Sequence, residues 1–257
     1  YNEERFIFRE RPTLTQRLDR TATIYHEVAH QWFGDLVTMR WFDDLWLKEG
    51  FATYMAAKMQ ASLDTASGAW KRFYLRNKPL AYAVDATRGT TPVWQTLENL
   101  DQAKSNYGAI VYNKAPSVLK QLDYLVGPDA FQRGLRRFLA AHAYGNATWR
   151  DLLSAIGAES GRSLARWGQE YILRPGMPVI EQAMGVTADG RTRLVLRQRP
   201  AQTLSGKGPW PIRTSVIIGQ PDGRIVRRQV TLDADSAVVP SPPDGGGRRG
   251  LRAGRRG

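Results

Sequence analysis

Two histidines spaced four residues apart constrain the fold of this chain more than any other feature. They belong to the stretch His26-Glu27-Val28-Ala29-His30. Side chains at positions i and i+4 lie one above the other on the same face of an α-helix. The two imidazoles can therefore bind one zinc ion, with Glu27 directed at the same site as a general base. The sequence thus predicts a helix that carries part of a metal site.

Glu49 is the third predicted ligand, and it lies in a second predicted helix over about residues 45–60. Eighteen residues separate it from His30. Two imidazoles and one carboxylate leave the fourth zinc position open for water, which is typical of a catalytic rather than a structural site. The chain has no cysteine, so any zinc ion must be bound through histidine and carboxylate.

The roles of two small residues in this second helix, Gly50 and Thr53, are not decided by the sequence alone. Gly50 lies inside the helix, where glycine costs about 1 kcal/mol relative to alanine. Either a close approach to the metal site or ordinary helix packing explains it. Thr53 lies one turn beyond Glu49, and it is predicted either to hydrogen-bond that carboxylate or to be an exposed hydroxyl.

The spacing of apolar residues predicts a mainly helical segment over about residues 1–175. Its clearest helices are expected over residues 15–33 and 129–143. Prolines and a glycine interrupt the pattern between residues 77 and 106, which predicts a loop with short helical turns. Pro116 is expected in the first turn of a helix over about residues 113–125, where proline is tolerated.

The pattern changes after residue 176. From 177 to about 240, short apolar runs alternate with polar residues and are separated by turn signals such as Asp189-Gly190. This predicts a small antiparallel β-domain, and hence an α+β chain overall. Residues 241–257 lack apolar periodicity and are rich in glycine and arginine, which predicts a disordered basic tail.

The charge of the chain does not by itself indicate a nucleic-acid partner. The formal net charge is +13, of which the tail contributes +4, from five arginines and one aspartate. The remaining basic residues are scattered and form no nucleic-acid-binding motif, so we expect a solvated surface and no nucleic-acid partner. There is no run of eighteen or more apolar residues, so no membrane span is predicted in this piece.

The chain begins at Tyr1 rather than at a methionine, and its first residues contain no apolar signal stretch. We therefore expect it to be an internal piece of a longer protein. The compartment, cytoplasm or cell envelope, stays open, as does the oligomeric state.

The predicted metal site is suited to the hydrolysis of an amide. Zinc lowers the pKa of a bound water to about 7, and Glu27 would take the proton and pass it to the leaving amine. The oxyanion that develops needs a further hydrogen-bond donor. Tyr112 is the candidate, because a phenol donates without being charged, although a tyrosine before a helix is more often a packing residue.

Two blocks of sequence resemble the aminopeptidase N family of gluzincin zinc metallopeptidases. They are HEVAHQWFGDLVT at residues 26–38 and WLKEGFA at residues 46–52, and the gap between them agrees as well. The resemblance implies a mainly α catalytic domain of the thermolysin-like zincin type over residues 1–175. It also implies a small antiparallel β-sandwich domain over residues 177–240.

The resemblance further implies roles for particular residues. It assigns His26, His30 and Glu49 as zinc ligands and Glu27 as the general base. In this family a tyrosine just before a Lys-Gly-Ala stretch stabilises the transition state, and the segment YNKAP at residues 112–116 fits that position. Tyr112 is then the oxyanion donor, and Tyr107 is a nearby pocket residue. Ala-Pro stands here in place of Gly-Ala.

Three functions follow as hypotheses. The first is a zinc aminopeptidase that releases N-terminal residues from peptides. The second is a related zinc endopeptidase, and the third is a non-catalytic zinc-binding fragment or scaffold. The family holds the substrate's amino terminus with a Gly-Ala-Met-Glu-Asn motif upstream of the zinc helix, and this sequence does not contain that motif. Exopeptidase character is therefore implied by the resemblance alone, and side-chain preference is left open.

Overall fold

Helices dominate the first two thirds of the chain in the computed structural model, which describes residues 2–186, 192–219 and 223–240. The α-helices are α1 (Leu14–His30), α2 (Trp46–Leu63), α3 (Ala69–Arg72), α4 (Lys78–Asp85), α5 (Leu100–Ser105), α6 (Ala115–Val126), α7 (Pro128–His142), α8 (Trp149–Ser160) and α9 (Ala165–Gly168). Five-residue π-helical segments precede α4 (Phe73–Asn77), precede α6 (Ile110–Lys114) and follow α9 (Gln169–Leu173).

Helix α1 begins at a capping box. The Gln16 amide donates to the Thr13 hydroxyl at 3.2 Å, and the Thr13 amide donates to the Gln16 side-chain oxygen at 2.8 Å. The helix ends at His30, three residues earlier than the sequence predicts. The chain then turns at Gly34, whose φ of 134° favours glycine.

Helix α2 is the centre of the helical part. Ten of its eighteen residues are buried, and it contacts α1, α3, α6 and the π-helical segment before α6. Gly50 lies at the closest of these approaches, since an added Cβ would come 2.9 Å from the Ala115 Cβ. Helix packing therefore explains the glycine.

The predicted loop between residues 77 and 106 is wrong in its first part. The helix that starts at Ala69 continues through a π-helical segment to Asp85. Pro79 is the second residue of α4, directly after that segment, and Pro116 has the same position in α6. A proline lacks an N–H and its ring clashes with the carbonyl four residues earlier, and the wider π-helical turn relieves that clash.

The last part of the described chain is made of antiparallel strands. They are β3 (Pro178–Val186), β4 (Thr192–Pro200), β5 (Ile212–Gly219), β6 (Ile225–Leu232) and β7 (Ser236–Val238). One sheet has the order β3-β4-β7, with Pro178 opposite Pro200 and Val195 opposite Val238. The other pairs β5 with β6, and its register places Ile212 opposite Leu232. The prediction of antiparallel strands is confirmed.

A short parallel pair lies outside these sheets. Strand β1 (Val37–Met39) pairs with β2 (Gly145–Ala147), so the chain that leaves α1 is joined to the start of α8. Among the described residues, no helix is both long and apolar enough to cross a membrane.

The buried apolar residues form two clusters. The larger extends from Phe33 to Ile172, and the smaller consists of Leu196, Val230, Leu232 and Val239. Hydrogen bonds connect the two regions: the Trp210 indole donates to the Glu170 carbonyl at 2.9 Å. The boundary at residues 175–177 stays a prediction, and the predicted tail at 241–257 and the Asp189-Gly190 turn lie outside the described residues.

The packing at Gly50 predicts the effect of a small substitution. Gly50→Ala improves helix propensity by about 1 kcal/mol, but its Cβ would overlap Ala115. Because overpacking a core costs roughly 1–3 kcal/mol, we expect a net loss of stability in urea unfolding. The double variant Gly50→Ala/Ala115→Gly exchanges the methyl group between the helices and should recover most of the loss. A single variant as stable as the parent chain would disprove the close approach.

Candidate metal centre

Three side chains from two helices converge on one point. His26 and His30 lie on consecutive turns of α1, and Glu49 lies on the first turn of α2. The Glu49 Oε2 atom is 3.2 Å from the His26 Nε2 atom and 3.4 Å from the His30 Nε2 atom. The two Nε2 atoms are 3.1 Å apart.

This arrangement fits a single metal ion. Four-coordinate zinc has ligand bonds of about 2.0–2.2 Å, so its ligand atoms are roughly 3.3–3.6 Å from one another. The three observed separations are close to that range. Two imidazole nitrogens and one carboxylate oxygen are also a donor set that suits a divalent transition metal. One potential ligand atom from each of these three side chains lies within 4.8 Å of the other two, a spacing that could hold a metal ion.

Both imidazoles are held with Nε2 towards the centre. The His26 Nδ1 atom lies 3.2 Å from the Thr53 hydroxyl, and the His30 Nδ1 atom lies 3.0 Å from the Phe33 carbonyl oxygen. An Nδ1–H that donates to these oxygens leaves the Nε2 lone pair free to bind a metal. Thr53 therefore orients His26, and neither expectation for it was correct, since it is not bonded to Glu49.

The electrostatics of the centre favour a charged carboxylate. Burial raises the pKa of Glu49, but its hydrogen bonds with His26 and His30 and the Lys48 charge outweigh burial and hold that pKa far below its usual value. Burial lowers the pKa of His30, whereas its hydrogen bonds with Glu49 and the Phe33 carbonyl raise it above the usual value overall. A metal ion would replace the proton that these groups share.

The other predicted site residues lie around this centre. Glu27 is exposed on α1 and borders, with His30 and Lys48, a shallow pocket beside the cluster. Tyr112 lies in the π-helical segment before α6, and its ring stacks on His26 with centroids 6.2 Å apart. The Tyr107 ring is 6.4 Å from that of Tyr112, and its side chain is 44% exposed.

Tyr112 stays protonated in this setting. Burial, followed by the negative charge of Glu49, raises the pKa of its phenol above the usual value, and Tyr107 and Glu27 add to the shift. The phenol is therefore a hydrogen-bond donor over the whole physiological pH range.

A cleft of about 630 Å³ opens beside the cluster. His26, Thr53 and Tyr112 border it, and polar side chains from the N-terminal half of α1 and from α3 continue its wall, including Gln16 and Arg72. These wall residues could not be predicted from the sequence, because they are distant in the chain and belong to no motif. The cleft is large enough for several residues of an extended peptide.

A cluster of two imidazoles and a carboxylate, bordered by a tyrosine and a cleft, could hold a metal ion of the kind that hydrolytic enzymes use. Residues 1–171 match the peptidase family M1 domain. The chain belongs to peptidase family M1, so the resemblance to the aminopeptidase N family is confirmed.

Relatives with known names cover much of the chain. It is 38% identical to aminopeptidase N of Streptomyces lividans over 249 residues, 93% of this chain and 29% of that protein. It is also 38% identical to tricorn protease-interacting factor F2 of Thermoplasma volcanium over 196 residues, 76% of this chain and 24% of that protein. Leucyl aminopeptidase of Saccharolobus solfataricus is 31% identical over 180 residues, 70% of this chain and 23% of that protein. The chain thus spans less than a third of each of these relatives.

The contact between Thr53 and His26 predicts a change in metal affinity. Thr53→Val keeps the side-chain shape but removes the oxygen that fixes the His26 ring. Loss of such a supporting hydrogen bond weakens metal binding by roughly 10- to 100-fold, which zinc titration against a competing chelator would measure. Thr53→Ser keeps the hydroxyl and is the matched control. Equal affinities for the valine and serine variants would contradict this orienting role.

Proposed function

We propose that this chain is the catalytic core of a zinc-dependent aminopeptidase, which hydrolyses the first peptide bond of a peptide substrate. One Zn²⁺ ion is bound by His26, His30 and Glu49. The observation that carries the proposal is the convergence of these three donors, with separations of 3.1–3.4 Å, in a chain of peptidase family M1. The domain assignment belongs to the same proposal: a thermolysin-like zincin over 1–175 and a β-sandwich over 177–240.

Zinc, when bound, supplies Lewis acidity to the scissile carbonyl and lowers the pKa of water that reaches it. Glu27 removes the proton of the attacking water and returns it to the leaving amine. Its exposed carboxylate lies between the two ligand histidines in sequence and borders the same pocket as His30. Its position on α1 therefore supports the role of general base.

Tyr112 donates a hydrogen bond to the oxyanion that forms at the carbonyl. Its raised pKa keeps the proton on the phenol, and its stacking on His26 holds the ring beside the centre. Tyr107 lines the approach to Tyr112 as a pocket residue, consistent with its exposed side chain.

Two alternatives, an endopeptidase and a non-catalytic scaffold, are less well supported. The complete donor set, with a base and a protonated tyrosine beside it, disfavours the scaffold. Against the endopeptidase stand the names of the relatives, which include an aminopeptidase N and a leucyl aminopeptidase. Peptide substrates and the absence of a nucleic-acid partner are proposed on the same basis.

The proposal predicts both the type of substrate and the dependence on metal. The full-length protein should hydrolyse amino-acyl p-nitroanilides, and it should not hydrolyse the same compounds once their amino group is acetylated. A strong chelator should abolish the activity, and added zinc should restore it. Cleavage of the acetylated compounds or of internal bonds would favour the endopeptidase, and equal rates with and without chelator would refute metal dependence.

The role of Glu27 predicts a separation of binding from turnover. Glu27→Gln removes the base but leaves His26, His30 and Glu49 unchanged. We expect zinc affinity to be kept while kcat falls by roughly 100-fold or more, measured by chelator competition and steady-state kinetics. Glu181→Gln, which removes an exposed carboxylate of β3 that pairs with Arg199, is the matched control and should behave as the parent protein. A Glu27→Gln variant with full activity would refute the assignment.

A further inference from the structure

Lys114 is a buried cation close to the candidate site but not part of it. Its side chain is 8% exposed, and its ammonium group lies 3.0 Å from both carboxylate oxygens of Asp85, whose side chain is 3% exposed. It also donates to the Gly176 carbonyl at 2.7 Å. The Thr90 hydroxyl donates to Asp85 at 2.7 Å, so the carboxylate is itself held in place.

These contacts join three distant segments of the chain. Lys114 ends the π-helical segment Ile110–Lys114, Asp85 ends α4, and Gly176 lies between the helical part and β3. Gly176 has a φ of 81°, a conformation that favours glycine, so the carbonyl that accepts from Lys114 comes from a specific turn.

Lys114 and Tyr112 share one turn of helix. Tyr112 contacts His26 across the candidate site, whereas Lys114 is bound to Asp85 and Gly176. The rotation of this turn about its axis therefore cannot change unless the Lys114 contacts break. Gly50 lies against Ala115 and the Val111 carbonyl beside this turn, so the turn is also close to α2.

A stabilising role alone is a weak explanation for such a pair. Taking two charges out of water costs several kcal/mol each, and apolar replacements of similar volume are often neutral or stabilising. Burial lowers the pKa of Lys114, and the charge and hydrogen bond of Asp85 only partly offset that effect. An ion pair with hydrogen bonds constrains the direction of a side chain, whereas an apolar contact does not.

We propose that Lys114 is a positioning residue that acts through Asp85 and the Gly176 carbonyl to hold the Tyr112 phenol at the scissile carbonyl. This inference rests on the proposed role of Tyr112 in the hydrolysis. The turn after Arg174-Pro175, just before the strands begin, then helps to position Tyr112.

The test is a double-mutant cycle in the full-length protein. Lys114→Met/Asp85→Asn removes both charges, keeps side-chain volume and avoids a lone buried charge, so the variant should fold. A displacement of about 1 Å in a catalytic group can cost up to 10²-fold in rate. We expect kcat to fall roughly 10- to 100-fold, with KM and zinc affinity unchanged.

The same pair of substitutions is then made in a Tyr112→Phe background. If the pair acts through the phenol, kcat should show no further fall there. A full kcat in the Lys114→Met/Asp85→Asn variant, or the same fold-loss in both backgrounds, would overturn the proposal. A Tyr112→Phe variant with unchanged kcat would instead refute the role of Tyr112, so the two failures are distinguishable.

A matched control is available in the same helical part. Lys58 pairs with Asp123 at 2.6 Å and connects α2 to α6 away from the candidate site. Lys58→Met/Asp123→Asn should leave kcat per folded molecule unchanged, whatever its effect on stability in urea. If this control lowers kcat as much as the Lys114 variant does, the effect is general loosening of the helices and the proposal is wrong.

Discussion

The packing of α1 against α2 is the constraint on which the rest of the site depends. One helix contributes two imidazoles and the other contributes a carboxylate, and the 3.1–3.4 Å separations exist only while the helices keep their distance. Both helices contribute buried apolar residues to the interior, Ala29 on α1 and Phe51 and Ala52 on α2, whereas Gly50 allows the close approach of α2 to α6. The energy that aligns the ligands is therefore largely that of apolar packing, which contributes far more to folding than any single polar contact.

The polar contacts have a different effect, because they set the orientation of the two imidazole rings. Without Thr53 and the Phe33 carbonyl, each imidazole could present either nitrogen to the centre. Glu49 is a buried carboxylate, and such a charge is tolerated only where partners offset desolvation. The partners of Glu49 are His26 and His30, and these contacts already hold the donor atoms near the separations that one bound cation would require.

The sequence predicted the convergence of His26, His30 and Glu49 better than it predicted the surrounding chain. His26, His30 and Glu49 were recoverable because helical spacing and a fixed gap leave few geometries for three ligands. The partner of Thr53 was not recoverable, since i, i+4 reasoning points to Glu49 on its own helix, and the true contact crosses to α1. The strands after residue 177 were predicted from alternation, but the pairing of β4 with β7 across intervening strands carries no local signal.

The helix over Lys78–Asp85 was missed because Pro79 was interpreted as a terminator. A proline stands two residues after each of the three π-helical segments in the described part of the chain, and in α4 and α6 the helix continues through it. The same reasoning gives Pro116 a consequence beyond its own helix. The carbonyl its ring must avoid, four residues earlier, is that of Tyr112, so a side chain without any reactive group sets the helical register of the phenol.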